Sequence, residues 1–312
     1  MSMSKLSIII PVLNEENNVS RFYDKIKEIQ PKIKPKSTIE FWFIDDGSTD
    51  KTLDIIKKLR RKDKEVHFVS FSRNFGKEAA IYAGLQHATG DFVSLMDVDL
   101  QDPPALLPEM VAGVANDEYD SVGARRTSRK GEAVVRSFFA RLFYGIISRI
   151  SGTHLVDGAR DFRVMDRTMV DAILKMPENQ RFSKGIFTWV GFRTKYIPYQ
   201  NIEREAGKSN WSFWSLTKYA IEGMISFSTL PLTLVTWVGL LSLIFSLFAG
   251  LFVVLRALFS SASSISGWAS TITVILFFGG LQMLSLGIVG RYIASIYQEV
   301  KRRPIYLEKE KQ

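Results

Sequence analysis

Asp97 and Asp99 close a short apolar run, with only Val98 between them. Residues i and i+2 at a strand end both aim at one ion if the chain bends there. Paired carboxylate oxygens suit Mg2+ or Mn2+, ions that keep water and share phosphate oxygens. Such an ion on a diphosphate stabilises the charge of a departing nucleotide. Three more polar clusters follow apolar runs: Pro11-Val12-Leu13-Asn14-Glu15, Asp45-Asp46-Gly47-Ser48 and Ser72-Arg73-Asn74. Turn and cap chemistry explains Ser48 equally well. It does not explain adjacent acids at Asp45-Asp46 together with Asp97 and Asp99. Other chemistries are excluded. The chain has no cysteine, so thiol nucleophiles, disulfides and Cys-ligated metals are out. His67, His87 and His154 do not lie at zinc spacing. No dinucleotide fingerprint, P-loop or serine-nucleophile elbow occurs.

The elements that must position these residues alternate. Lys5–Pro11, Ile39–Ile44, Val66–Phe71 and Asp91–Met96 read as strands. Helical stretches follow from about Glu15 to Ile29, Thr49 to Arg61 and Gly76 to Ala88, with a fourth opening at Pro103-Pro104. This alternation predicts an α/β domain: a Rossmann-like, mostly parallel sheet with right-handed crossovers. Ligands of such sheets bind at the carboxyl ends of the strands, where all four clusters fall. Leu6–Val12 is too short for a secretory signal and reads as a buried strand.

Charge is distributed unevenly along the 312 residues. The net formal charge is +9 and hydrophobic residues make up 46%, which excludes a disordered chain. From Gly223 to Gly290 the only charged residue is Arg256. Leu230–Leu255 and Ala269–Gly290 are each long enough to cross ~30 Å of hydrocarbon at ~1.5 Å per residue. Lys208 and Lys218 precede the first run, and Arg291, Lys301, Arg302 and Arg303 follow the second. The positive-inside bias puts both termini in the cytoplasm and the Ser-rich link outside. The expected division is a cytoplasmic domain over 1–210, an interfacial helix over 211–229, a two-helix hairpin over 230–295 and a basic tail over 296–312. Gly131–Ile150 reads as a basic amphipathic helix suited to an anionic bilayer surface, or as an ordinary surface helix on the sheet. Trp211, Phe213, Trp214 and Tyr219 suit the interface before the first span. Because the basic groups cluster near apolar helices, nucleic acid is not an expected partner. Gly279, Gly280, Gly287 and Gly290 permit close helix packing, so a homo-oligomer stays open.

IIIPVLNEE at Ile8–Glu16, FIDDGSTDKT at Phe43–Thr52, SRNFGKEAA at Ser72–Ala80 and MDVDLQDPP at Met96–Pro104 resemble, in order and spacing, the family 2 glycosyltransferases with a GT-A fold. DFRVMDR at Asp161–Arg167 is similar to the polyprenyl-phosphate branch, which includes dolichol-phosphate mannose synthase and bacterial bactoprenol glucosyltransferases. The resemblance implies inverting, metal-dependent transfer from a UDP-sugar to undecaprenyl phosphate at the bacterial inner membrane, with glucose first and N-acetylglucosamine second. It implies that Pro11, Asn14, Glu15 and Asp46 hold uridine, and that Asp97 places ribose, sugar or metal. Asp99 and Gln101 would bind Mg2+ or Mn2+. Lys77 becomes a nucleotide contact or a solvated helix-start lysine. Arg125, Arg136 and Ser137 become candidates for the lipid phosphate, with Gly207–Trp211 a loop over the donor. The stretch Val156–Arg163 is one residue longer than in many relatives. Asp157 is the expected catalytic carboxylate and Asp161 the second choice. Arg160 and Arg163 either contact phosphates or, for Arg163, pair with Asp161 or Asp166. A processive polysaccharide synthase would carry Q-x-x-R-W, absent here. A non-catalytic sugar-nucleotide sensor would not need Asp97, Asp99 and Asp157.

Overall fold

Strand β1 (Ser4–Val12) carries Leu6, Ile8, Ile9 and Ile10, all fully buried. Continuous rather than alternating burial marks a strand covered on both faces. β1 pairs in parallel with β2 (Ser37–Asp45) and β4 (Phe92–Leu95), and β2 with β3 (Val66–Phe71). These are the four expected strands. The computed structural model describes residues 4–33, 37–127, 156, 158–200, 230–259 and 267–312.

The crossover helices follow from local composition. α1 (Val19–Ile29) buries Val19, Phe22, Ile26 and Ile29 at helical spacing. It starts later than Glu15 because Glu15–Asn18 forms a turn, Asn18 N–H bonding to the Glu15 carbonyl at 2.9 Å. α2 (Thr52–Lys62) ends in Arg60, Arg61 and Lys62, which favour the negative end of its dipole. α3 (Lys77–His87) is buried from Ala79 to Leu85 by small and apolar residues. Gly84 is required there, since a Cβ would lie 2.1 Å from Ile9 Cγ2. A 3-10 turn at Pro104–Leu106 leads into α4 (Leu107–Ala115).

The second half adds β5 (Ser121–Arg126), β6 (Ala159–Asp166), α5 (Arg167–Leu174), α6 (Ser183–Trp189) and β7 (Thr194–Tyr199). β6 runs antiparallel to both β4 and β5, and β7 parallel to β5. Asp166 caps α5 by accepting from Met169 N–H at 2.8 Å. The sheet order is β7-β5-β6-β4-β1-β2-β3-β8, the mixed, mostly parallel GT-A arrangement.

The carboxyl tail differs from a plain basic extension. Glu308–Lys311 forms β8, antiparallel to β3. Tyr306 stacks on Phe71, with ring centroids 4.8 Å apart, and Lys57 pairs with Glu310 at 2.6 Å. An all-charged edge strand is a poor template for further strand addition. Residues 303–312 thus belong to the same compact unit as 1–220, while 221–302 forms a second unit.

The second unit contains α7 (Leu230–Phe259) and α8 (Trp268–Val300). Pro231–Phe252 and Val274–Val300 are long and apolar enough to cross a membrane, and neither is buried within the chain. Phe245 is 69% exposed and Leu276 70%, far from the burial of soluble core helices. α8 continues past residue 295, the expected end of the hairpin. A Cβ at Gly279, Gly280, Gly287 or Gly290 would meet nothing within 4 Å among the described residues. The stretches Gly131–Ile150 and Gly207–Phe227, with Arg136, Ser137 and Asp157, lie outside the described residues.

Candidate active site

The carboxyl ends of β1 and β2 are clasped together. Pro11 lies in register with Ile44. Asn14 N–H donates to Ser48 Oγ at 2.9 Å, and Asn14 Oδ1 accepts from Thr49 N–H at 2.8 Å. Glu15 N–H donates to Thr52 Oγ1 at 2.8 Å. Asn14 has φ +55°, a strained left-handed conformation that persists because these partners hold it. Asp46 lies just past the end of β2, facing the loop that enters α3. It is 4% exposed, and its carboxylate accepts from Phe75 N–H at 2.7 Å and Gly76 N–H at 2.9 Å. Burial pushes its pKa up, against those two bonds. Asp46 therefore secures the loop entering α3.

That loop aims Lys77 at the acids. Lys77 Nζ lies 2.7 Å from Asp97 Oδ1 and 2.7 Å from Asp161 Oδ2, and Lys184 Nζ lies 3.9 Å from Asp161 Oδ1. Lys77 is thus an ion-paired residue rather than a solvated helix-start lysine. Burial opposes its charge, yet attraction to Asp161 and Asp97 raises its pKa. Burial likewise opposes ionisation of Asp161, but Lys77 and Lys184 hold its carboxyl well below the usual carboxylate range. A carboxylate so held is a fixed anion and a weak proton acceptor.

The chain turns just after the pair, at Leu100, with φ +57°. Asp99 Oδ1 accepts from Gln101 N–H at 3.2 Å within this turn. The donor set of hard carboxylate oxygens fits Mg2+ or Mn2+, and a cationic ammonium already sits beside Asp97. Among the described residues no group of three His, Cys, Asp or Glu could hold an ion by itself. An ion at Asp97 and Asp99 would then complete its shell with water or phosphate oxygens.

β6 and β7 bring the remaining charges. Asp102 is buried and accepts from Arg160 Nε at 2.9 Å and Tyr199 OH at 2.5 Å. Arg163 lies in the interior, where burial opposes its charge while Tyr196 and Asp161 favour it. It is 2% exposed, its guanidinium lies 4.1 Å from the Phe187 ring centroid, and it donates to the Arg160 carbonyl at 3.4 Å. Arg125 is exposed near the end of β5, opposite Ala159. The adjoining turn needs Gly158, whose φ is +80° and whose added Cβ would lie 2.4 Å from the Arg126 carbonyl oxygen. Sequence reasoning missed Lys184, Tyr199 and Glu78. Glu78 accepts from Ser183 N–H at 2.9 Å and from its hydroxyl, fixing the start of α6. Its adjacency to Lys77 in the SRNFGKEAA segment was the only available signal.

Fold and site together define a GT-A glycosyltransferase. Residues 7–174 match the glycosyl transferase family 2 model. The chain belongs to that family. It is 44% identical over 310 residues to the putative glycosyltransferase CsbB of Bacillus subtilis, covering 99% of this chain and 93% of the relative. It is 40% identical over 303 residues to an uncharacterized glycosyltransferase, sll0501, of Synechocystis, covering 97% and 94%. It is also 40% identical over 309 residues to the bactoprenol glucosyl transferase of Shigella phage SfII, covering 98% and 97%.

Proposed function

We propose that the protein transfers a sugar, glucose first, from a UDP-sugar to undecaprenyl phosphate at the cytoplasmic face of a bacterial membrane. The observation that carries this reading is the bent Asp97–Asp99 turn beside Lys77, at the carboxyl edge of a GT-A sheet, in a chain with two lipid-length apolar helices. The full-length likeness to a bactoprenol glucosyl transferase supports the acceptor class.

Pro11, Asn14 and Glu15 line the edge where uridine would lie. Asp97 and Asp99, with Gln101 on the same turn, would hold Mg2+ or Mn2+, which when bound draws charge from the departing UDP. Lys77 adds a second positive charge on that side. The acceptor phosphate has a second pKa of about 6 and is largely dianionic at neutral pH. It needs little help from a base, so Asp157 orients it or takes a residual proton. Arg125, Arg136 and Ser137 would hold its remaining oxygens. Most of the rate then comes from alignment for in-line attack. A single displacement inverts the anomeric carbon.

The pairing of β8 with β3 supports a topology with both ends on one side. Residues on both sides of the hairpin return to one compact unit, which supports an even number of crossings. With the positive-inside bias, both termini are cytoplasmic. Purified full-length protein, undecaprenyl phosphate, Mg2+ or Mn2+ and labelled UDP-glucose, UDP-N-acetylglucosamine or UDP-galactose test the proposal. Solvent-extractable label is expected, strongest from UDP-glucose. No lipid-linked label from any donor would overturn it.

A further inference from the structure

We infer that Arg160, suspended from Asp102, is a phosphate-binding residue of this site. The inference rests on the proposed transfer reaction. Asp102 belongs to the turn that carries Asp97 and Asp99, and its side chain is 2% exposed. Its Oδ1 takes both Arg160 Nε and the Tyr199 hydroxyl, while Oδ2 is buried with no hydrogen-bond partner among the described residues. Tyr199 stands at the end of β7, 97 residues away, and is buried. This is costly construction around one carboxylate, since a buried acceptor left unmade destabilises the fold.

The construction holds one object outward. Among the described residues Arg160 is engaged through Nε alone, and its side chain is 29% exposed. Its terminal Nη1 and Nη2 groups have no acceptor among the described residues. A guanidinium anchored at Nε presents its remaining N–H groups as a planar fork, which matches two oxygens of a phosphate. The next residue, Asp161, holds Lys77 against Asp97. Two cations thus flank the acidic turn, Lys77 bound on both sides and Arg160 with no acceptor for its terminal donors among the described residues. Arg163, three residues on, faces the interior. Of the two arginines in this segment, the structure selects Arg160.

A phosphate oxyanion has two sources here: the donor's diphosphate and the acceptor's monoester. Kinetics on full-length protein separate them. Arg160→Gln should raise KM by about tenfold to a hundredfold, the range for losing a charge-assisted hydrogen-bond pair, for one substrate only. A rise confined to undecaprenyl phosphate places the fork on the acceptor; a rise confined to the UDP-sugar, with weaker UDP binding by calorimetry, places it on the donor. Arg160→Lys keeps the charge without the fork and should recover only part of the loss.

The competing explanation is that Arg160 only neutralises Asp102. The double variant Asp102→Asn, Arg160→Gln removes that need. If Arg160 binds phosphate, the double variant keeps the KM defect of Arg160→Gln. Recovery to the wild-type KM would overturn the inference, as would an unchanged KM for both substrates in Arg160→Gln. Wild-type protein that transfers no sugar would instead overturn the proposed reaction.

Discussion

The two halves of the sheet reach the same edge by different means. In the parallel half, neighbouring loops are joined through hydroxyl, amide and backbone groups, as in Asn14–Thr49 and Glu15–Thr52, 35 and 37 residues apart. The antiparallel half works through charge over longer separations: 58 residues for Arg160–Asp102 and 84 for Lys77–Asp161. The first half builds a shaped rim from local cap chemistry. The second supplies the electrostatics, and only after β6 and β7 have docked. Shape and charge are therefore separable by mutation.

The largest separation is expected at Asp99→Ala. Transfer should fall by about a hundredfold or more, the scale of losing one electrostatic stabiliser, with the melting temperature unchanged. Equal loss of melting temperature and activity would show that the turn is structural instead.

The parallel half has its own ion pair, remote from the site. Glu40 is 1% exposed and binds Lys5 Nζ at 2.5 Å, Ser7 Oγ at 2.5 Å and Thr89 N–H at 2.7 Å. Burial works against its charge, but these partners hold its pKa at about 2, from an ordinary 4.5. Because the folded value is depressed, its stabilisation is present above pH 4.5 and is lost as pH falls toward 2. It amounts to on the order of 3 kcal/mol. Glu40→Gln should lower the melting temperature at pH 7 and flatten the fall between pH 5 and pH 2, with KM for both substrates unchanged.

Lys77→Met tests the charged half directly. It leaves Asp97 and Asp161 facing each other without the ammonium. Since Lys77 is 43% exposed, the loss of stability should be only about 1–2 kcal/mol. UDP affinity should drop by about tenfold. Stability lost without any change in UDP affinity would confine Lys77 to a structural role.

The smallest effect is expected from truncation after Pro304. It removes β8 and uncovers β3. Melting should fall by about 3 °C and self-association on size exclusion should rise through the bare edge, while kcat is retained.

The difference between the halves also explains what could be read from the residues. β1 to β4 were legible because parallel, doubly covered strands are short β-branched and aromatic runs. The place of Asp97 and Asp99 at the carboxyl end of β4 was legible because they directly follow its apolar run. The bonds of Asp46 to the backbone of Phe75 and Gly76 were not legible, since an acid after a strand looks the same whatever it meets. Arg163 looked like a phosphate contact because nothing local reveals Phe187 beneath it. β8 was hidden in an all-charged stretch whose strand state depends on β3. Tyr199 and Lys184 met their acids only through tertiary assembly.

UDP binding to the detergent-purified protein by calorimetry, with and without Mn2+, tests the central claim most directly. The account predicts ion-dependent binding in the wild type and its loss in Asp99→Ala at unchanged melting temperature. Equal binding without the ion, or wild-type binding by Asp99→Ala, would contradict it.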